Sequence, residues 1–224
     1  ILYIIQFTVI NDVLIYYCCE KFFYFSVFLF FSCSAEIVFE VKKDGNVKIS
    51  YDGDLNGVFL QFFINQNGKN TELDLENIEN TELDVEVLTE SLKNSGFENV
   101  QILSGKLKNI LITMEDKSQK SVLFYSKLLK MQNGSLSVDF SYENLRNFYE
   151  NADEQLQSDL DLLLAPVFND EKMTETEYLE TIATFYGEKM ASELAESFIS
   201  LIVINIDGKQ QVQKISIPKI LCGM

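Results

Sequence analysis

The sequence predicts an α+β fold: an antiparallel sheet of hairpins packed against helices, with two long helices in the last third. Three observations predict it. Apolar and polar residues alternate with period two on both sides of short turn dipeptides, near the start of the mature region and again at the C-terminus. Apolar residues recur at helical spacing between those strands, and no Gly/Pro/Ser-rich stretch separates the two kinds of segment.

Taken in order, Ile37, Phe39 and Val41 alternate with Glu36, Glu40 and Lys42, the turn Asp44-Gly45 follows, and Val47, Ile49 and Tyr51 resume the alternation. That is a hairpin, with its first strand starting at about Glu36 or Ile37. Residues 58–64 (VFLQFFI) are apolar on both faces, as expected of a covered central strand, and residues 65–82 read as a polar loop holding two acidic near-repeats. From Val85 to Ser95 the spacing is helical, with Gly96 at the position of a left-handed C-terminal cap. Two strands follow, near 99–104 and 106–115, turned at Ser104-Gly105. Residues 121–131 suit a short helix and a strand equally, because Asn133-Gly134 and the alternating Leu136, Val138 and Phe140 mark a hairpin. Leu156, Leu160 and Leu163 give a helix stopped by Pro166. A second helix opens at Thr174, where Glu177 completes a capping box, and Leu179, Ile182, Ala183, Tyr186, Met190 and Leu194 put one apolar stripe along it. Gly187 lies inside that helix at a cost of about 1 kcal/mol relative to Ala, which suggests a close packing partner. The chain closes with ISLIVINI (199–206), the turn Asp207-Gly208 and a strand ending at Pro218.

Composition narrows the function classes. The chain has 34 Asp and Glu against 18 Lys and Arg. The first 32 residues hold only Asp12, Glu20 and Lys21, leaving 17 basic and 32 acidic residues beyond, a net −15. Such a surface repels a phosphate backbone, so nucleic acid is excluded as a partner, and anionic lipid is disfavoured for the same reason. About 190 residues suffice for a core without metal or disulfide support, so no cofactor is expected and the domain is expected to be a monomer. The absence of His removes Ser-His and Cys-His catalysis and, with no CxxC pair, a zinc site. There is no phosphate-binding glycine motif.

Residues 22–31, FFYFSVFLFF, form an apolar block too short to span a bilayer and of the right length for the core of a signal peptide. The junction Phe30-Phe31-Ser32-Cys33 resembles a relaxed lipobox of the kind found in spirochaete-type bacterial lipoproteins. The resemblance implies a thiol acylated on Cys33, cleavage before it, and a membrane-anchored protein facing the periplasm or cell surface. Residues 1–32 are then a signal peptide or apolar leader, in which 1–19 could include translated upstream sequence. Residues 33–224 form a single extracytoplasmic domain. The last third, APVFNDEKMTETEYLETIATFYGEKMASELAE, is similar to uncharacterised spirochaete lipoproteins and implies no activity.

The candidate sites within the domain are few. Asp52, Asp54 and Asn56, followed by Gly57, match the first half of a calcium loop, but position 12 is Phe63 instead of Glu, so the segment reads first as a polar turn between strands. Carboxylate pairs at Asp159 and Asp161, Glu171 and Glu175, and Glu193 and Glu196 are open to a glycosidase-like role, yet solvated helix faces produce such pairs freely. The Phe and Tyr residues beyond the apolar leader are expected mainly in the core, with an apolar ligand cleft as the alternative. The function expected is a lipid-anchored, non-enzymatic binding module for an envelope protein or an apolar or lipid ligand. The alternatives are a hydrolase using carboxylates alone and a structural surface lipoprotein.

Overall fold

The computed structural model describes residues 32–55, 85–106, 109–151, 157, 161, 164 and 173–222. The described chain is α+β: a mixed six-stranded sheet, a two-stranded hairpin and six helices. The elements are β1 (Ser32–Val41), β2 (Val47–Leu55), α1 (Val85–Asn94), β3 (Glu98–Lys106), β4 (Asn109–Asp116), α2 (Val122–Tyr125), β5 (Leu129–Gln132) and β6 (Ser135–Val138). They continue as α3 (Tyr142–Glu150), α4 (Glu175–Tyr186), α5 (Glu188–Glu196), β7 (Phe198–Ile204), β8 (Gln210–Ser216) and α6 (Ile217–Leu221).

Strand order in the large sheet is β3-β4-β2-β1-β7-β8. Every neighbouring pair is antiparallel except β1 and β7, which run parallel from Ser34 opposite Phe198 to Glu40 opposite Ile204. The expected all-antiparallel sheet is corrected at that one pair. Alternation within a strand fixes which face a residue takes, but carries no information about the direction of its partner.

One face of the sheet makes the core. Ala35, Ile37, Phe39 and Val41 of β1 lie beside Val47, Ile49 and Tyr51 of β2, Ile110, Ile112 and Met114 of β4, and Ile199, Leu201 and Val203 of β7, all buried. The buried helical residues, among them Leu88, Leu92, Leu145, Phe148, Tyr178, Ile182, Met190 and Leu194, join the same cluster, so the helices cover this face. The opposite face carries Glu36, Glu40, Lys48, Ser50, Asp52 and Asp54, the alternation expected when one face of a sheet is wet. The edge strands are made unattractive for further pairing: β3 breaks register twice, and β8 exposes Gln210, Gln211, Gln213 and Lys214.

Local signals explain the turns. Asp44 accepts from the backbone N–H of Asn46, Gly45 takes positive φ, and β1 returns as β2. Asn133 and Gly134 both take positive φ, as the two-residue turn between β5 and β6 demands. The ambiguous segment 121–131 resolves into both alternatives, α2 and then β5. The turn expected at Ser104-Gly105 moves, because Gly105 still pairs with Ile110 and Lys106 with Asn109. The final strand stops at Ser216, whose side chain caps α6, and Pro218 lies in the first turn of that helix, where its missing N–H costs nothing. The strand expected at 58–64, the loop at 65–82 and most of the helix around 156–163 lie outside the described residues.

The C-terminal cap of α1 is fixed by a neighbour. The buried carboxylate of Asp116 accepts the backbone N–H groups of Lys120 and Ser121, which satisfies the charge and folds this turn against Gly96. A Cβ on Gly96, which has φ +91, would lie 2.6 Å from the Lys120 carbonyl oxygen and 2.9 Å from Ser121 Cα. We therefore expect Gly96→Ala to lower the unfolding free energy by about 2 to 4 kcal/mol, from left-handed strain plus overpacking. Gly45→Ala, with positive φ but open space around it, should cost only about 1 to 2 kcal/mol. Urea unfolding of the two variants and the parent checks the ordering.

Candidate functional site

Of the site residues singled out from the sequence, Cys33 lies in β1, at the start of the described chain. Register shifts between Ser32 and Ser34, so Cys33 is the extra residue of a bulge, and from Ser34 onward β1 is paired on both sides, to Asp54 and to Phe198. β1 is thus already formed at Ser32, which pairs with Leu55, four or five residues before the start that the alternation suggested. Asp52 and Asp54 do not form a turn, because β2 continues through Leu55. They project from the wet face at every second position, while Gly53 between them faces inward, where a Cβ would lie 2.6 Å from the Tyr51 hydroxyl and 3.1 Å from Ala35 Cβ. The strand explains the Asp-Gly-Asp order that resembled half a calcium loop, since an extended segment cannot wrap a cation. Asn56 lies outside the described residues, and among those described no group of three or more His, Cys, Asp or Glu is placed to hold a metal.

Of the carboxylate pairs, Glu193 and Glu196 both lie on α5. Glu175 accepts a 2.6 Å hydrogen bond from the Ser216 hydroxyl, and Asp161 accepts from the Tyr149 hydroxyl, whose pKa is pushed up to about 12 by that bond, then by burial. Asp159 and Glu171 lie outside the described residues. The aromatics are mostly core, with Phe97, Phe148 and Tyr178 buried, although Tyr125 and Phe185 stand exposed.

The concave feature that the sequence did not reveal is an open groove between α4 and α5. Thr174 starts α4 with the expected capping box: its hydroxyl accepts from Glu177 N–H at 3.3 Å while the Glu177 carboxylate accepts from Thr174 N–H at 2.8 Å. The bond from the Thr174 N–H, and then one that the Thr174 hydroxyl donates at 2.9 Å, hold the Glu177 carboxyl below the usual range. The helix expected to run on to Leu194 ends at Tyr186. Gly187 adopts φ +92 and ψ 157, a region essentially restricted to glycine, and its N–H closes α4 on the Ala183 carbonyl while its own carbonyl starts α5. Nothing lies within 4 Å of the place its Cβ would occupy, so backbone geometry, and no close packing partner, requires this glycine.

One residue thus joins two helices that fold back on each other. Thr176 from the first turn of α4 and Ala195 from the last turn of α5 line the same groove, of about 550 Å³. Leu179, Ala183, Thr184 and Ala191 complete its mostly small lining, which is too short to fill the space between the helices. Glu180 and Glu188 supply its charge, and among the described residues no Lys or Arg lines it. Below it the helices are fixed to the core by Tyr178, Ile182, Met190 and Leu194. Helical spacing had assigned Leu179 and Ala183 to the core stripe; they are half-buried on its margin, facing the groove.

Cys222 sits beneath α4, half-buried, and its thiol is pushed up to about 11, first by burial and then by Glu175. With the folded pKa above the ordinary 9.0, the thiolate is suppressed in the native state, so stability is lost as pH rises through this range. At pH 8 native Cys222 should react with iodoacetamide on the order of 100-fold more slowly than in denaturant, as read by peptide-resolved mass spectrometry. No family model, no curated protein and no solved structure matches this chain.

Proposed function

We propose that this chain is a lipoprotein acylated on Cys33 and tethered to the outside of a membrane, where its domain acts as a non-enzymatic binding module. The observation that carries the reading is the position of the lipobox-like Phe30-Phe31-Ser32-Cys33, which runs directly into Ser34, where β1 is paired to both Asp54 and Phe198. Cleavage before Cys33 would leave the core strand intact from Ser34, with Ala35 already buried. Among the described residues no helix is long and apolar enough to cross a membrane. The open form of the groove favours an envelope protein over an enclosed lipid, because an acyl chain lying there would remain largely wet. Glu175 and Asp161 are each engaged by a hydroxyl, which supports the binding module over the carboxylate-only hydrolase.

Cys33→Ala is expected to abolish acyl labelling and to leave the precursor uncleaved. Metabolic labelling with an alkyne fatty acid and detergent-phase fractionation check it; a variant that still partitions into detergent at the mature size overturns the anchor. A second expectation concerns reach. After cleavage before Cys33, Ser34 would be the first paired residue, so the tether would have no length and the Cys33 end of the sheet would rest on the headgroups. Lys219, exposed on α6, lies at that end, because Ser34 pairs with Phe198 and Phe198 with Ser216. Inserting about 20 Gly/Ser residues between Cys33 and Ser34 adds a reach of roughly 25 Å and should speed tryptic cleavage at Lys219 several-fold in membranes. An unchanged rate would show that the domain does not sit on the surface.

A further inference from the structure

We infer that the α4–α5 groove docks the apolar face of a basic helix from a protein partner. The inference rests on the binding-module reading and names the partner class.

Shape supplies the first part. The groove lies between two helices that fold back at Gly187 and is open to solvent, with Ala183, Ala191 and Ala195 among its walls. Small walls let a third helix approach closely and place larger side chains into the space, as in helix-in-groove recognition. Charge supplies the second. Glu180 and Glu188 lie within the groove, and the α4–α5 segment, Glu175–Glu196, carries further acids at Glu175, Glu177, Glu193 and Glu196 against the single Lys189. Lys or Arg flanking the apolar face of the occupant would meet these carboxylates at the rim, where they steer encounter and select the partner.

The same charge argues against the other occupants. An isologous contact with a second copy would set Glu180 and Glu188 against themselves. The stretches 56–84 and 152–172 of this chain each hold six acidic residues and one lysine, so neither is complementary. Anionic lipid would be repelled.

The test uses the full chain in phosphatidylcholine nanodiscs, with empty discs as blank, and two labelled helical peptides that share a Leu/Ala face and differ in having Lys or Glu on the other. Fluorescence anisotropy should show the Lys peptide binding at least about tenfold more tightly than the Glu peptide, with an advantage that shrinks as salt rises. Glu180→Lys with Glu188→Lys should weaken the Lys peptide by about tenfold. Ala195→Phe, at an exposed position that fills one end of the groove, should weaken it without altering charge. Unchanged circular dichroism and melting midpoint in each variant establish that the fold is intact.

Equal binding of the two peptides, or binding that survives both variants, overturns the inference. So does groove-dependent dimerisation of the chain, or adsorption to phosphatidylglycerol vesicles that Ala195→Phe removes. Failure of the peptide arm with Cys33 acylated leaves the anchor standing; loss of acylation with the peptide arm intact removes only the anchor.

Discussion

The double pairing of β1 is the constraint on which the rest of the structure depends. Its inward residues, Ala35, Ile37, Phe39 and Val41, are buried because β2 lies on one side and β7 on the other, and the β7 side joins positions some 160 residues apart. Closing so long a connection is entropically costly, although the cost grows only slowly with length, and the reward arrives only when β7 is delivered in register. Delivery falls to α5, which ends at Glu196 and passes through Ser197 into Phe198. Met190 and Leu194 hold α5 in the core, so the same contacts that seat the helix hairpin also set β7 beside β1. Placement of the groove is a consequence of how the sheet is closed.

Features set by backbone chemistry within a few residues were legible in the sequence. Asp44-Gly45, Asn133-Gly134 and Asp207-Gly208 turn the chain where expected, Gly96 closes α1, and Thr174 with Glu177 starts α4. What failed depended on partners distant in sequence or on two local signals in competition. Nothing in β7 announces that its neighbour is parallel. Asp52 and Asp54 looked like turn residues by type, yet the strand pairing of β2 with β1 and β4 overrode that tendency, with Gly53 as the inward residue that leaves room for Tyr51. At Gly187 the apolar spacing runs unbroken from Leu179 to Leu194, and periodicity cannot distinguish one helix from two that happen to keep phase across a one-residue break. The groove was therefore invisible: its walls are Ala and Thr, which carry no chemical signature, and its existence follows from a backbone angle.

The acidic surface is handled unevenly. Away from the helix hairpin, carboxylates tend to have near neighbours of opposite sign: Glu40 with Lys42, Glu98 with Lys117, Asp139 with Lys130, and Asp207 with Lys209. The Lys130 ammonium, ahead of the Ser141 N–H, holds the Asp139 carboxyl below the usual range, so whatever this pair adds to stability is present above the unfolded pKa and lost as acid titrates the folded group. Such exposed pairs contribute little energy, but they disperse charge. On α4 and α5 the acids outnumber the lone Lys189 heavily, and two of them lie in the concave surface. Glu175, Glu177 and Glu188 occupy first turns of these helices, where the helix dipole favours a carboxylate and offsets part of the repulsion between them.

Anchor and groove are also related by geometry. Ser34 pairs with Phe198, Phe198 with Ser216, and the Ser216 hydroxyl donates to Glu175, the first residue of α4. The first turn of α4 and the last turn of α5 therefore lie at the Cys33 end of the sheet, and Gly187 is at the far end of the hairpin. The groove runs outward from the end that the proposed lipid would hold against the membrane. A helix leaving the bilayer as part of a neighbouring membrane protein would meet its mouth first, at Thr176 and Ala195, and the carboxylates of Glu180 and Glu188 further along. Under the proposed anchoring, a domain held without slack would keep the groove at one height and one tilt, so the entropy of orienting it would be lost on anchoring and not again on binding.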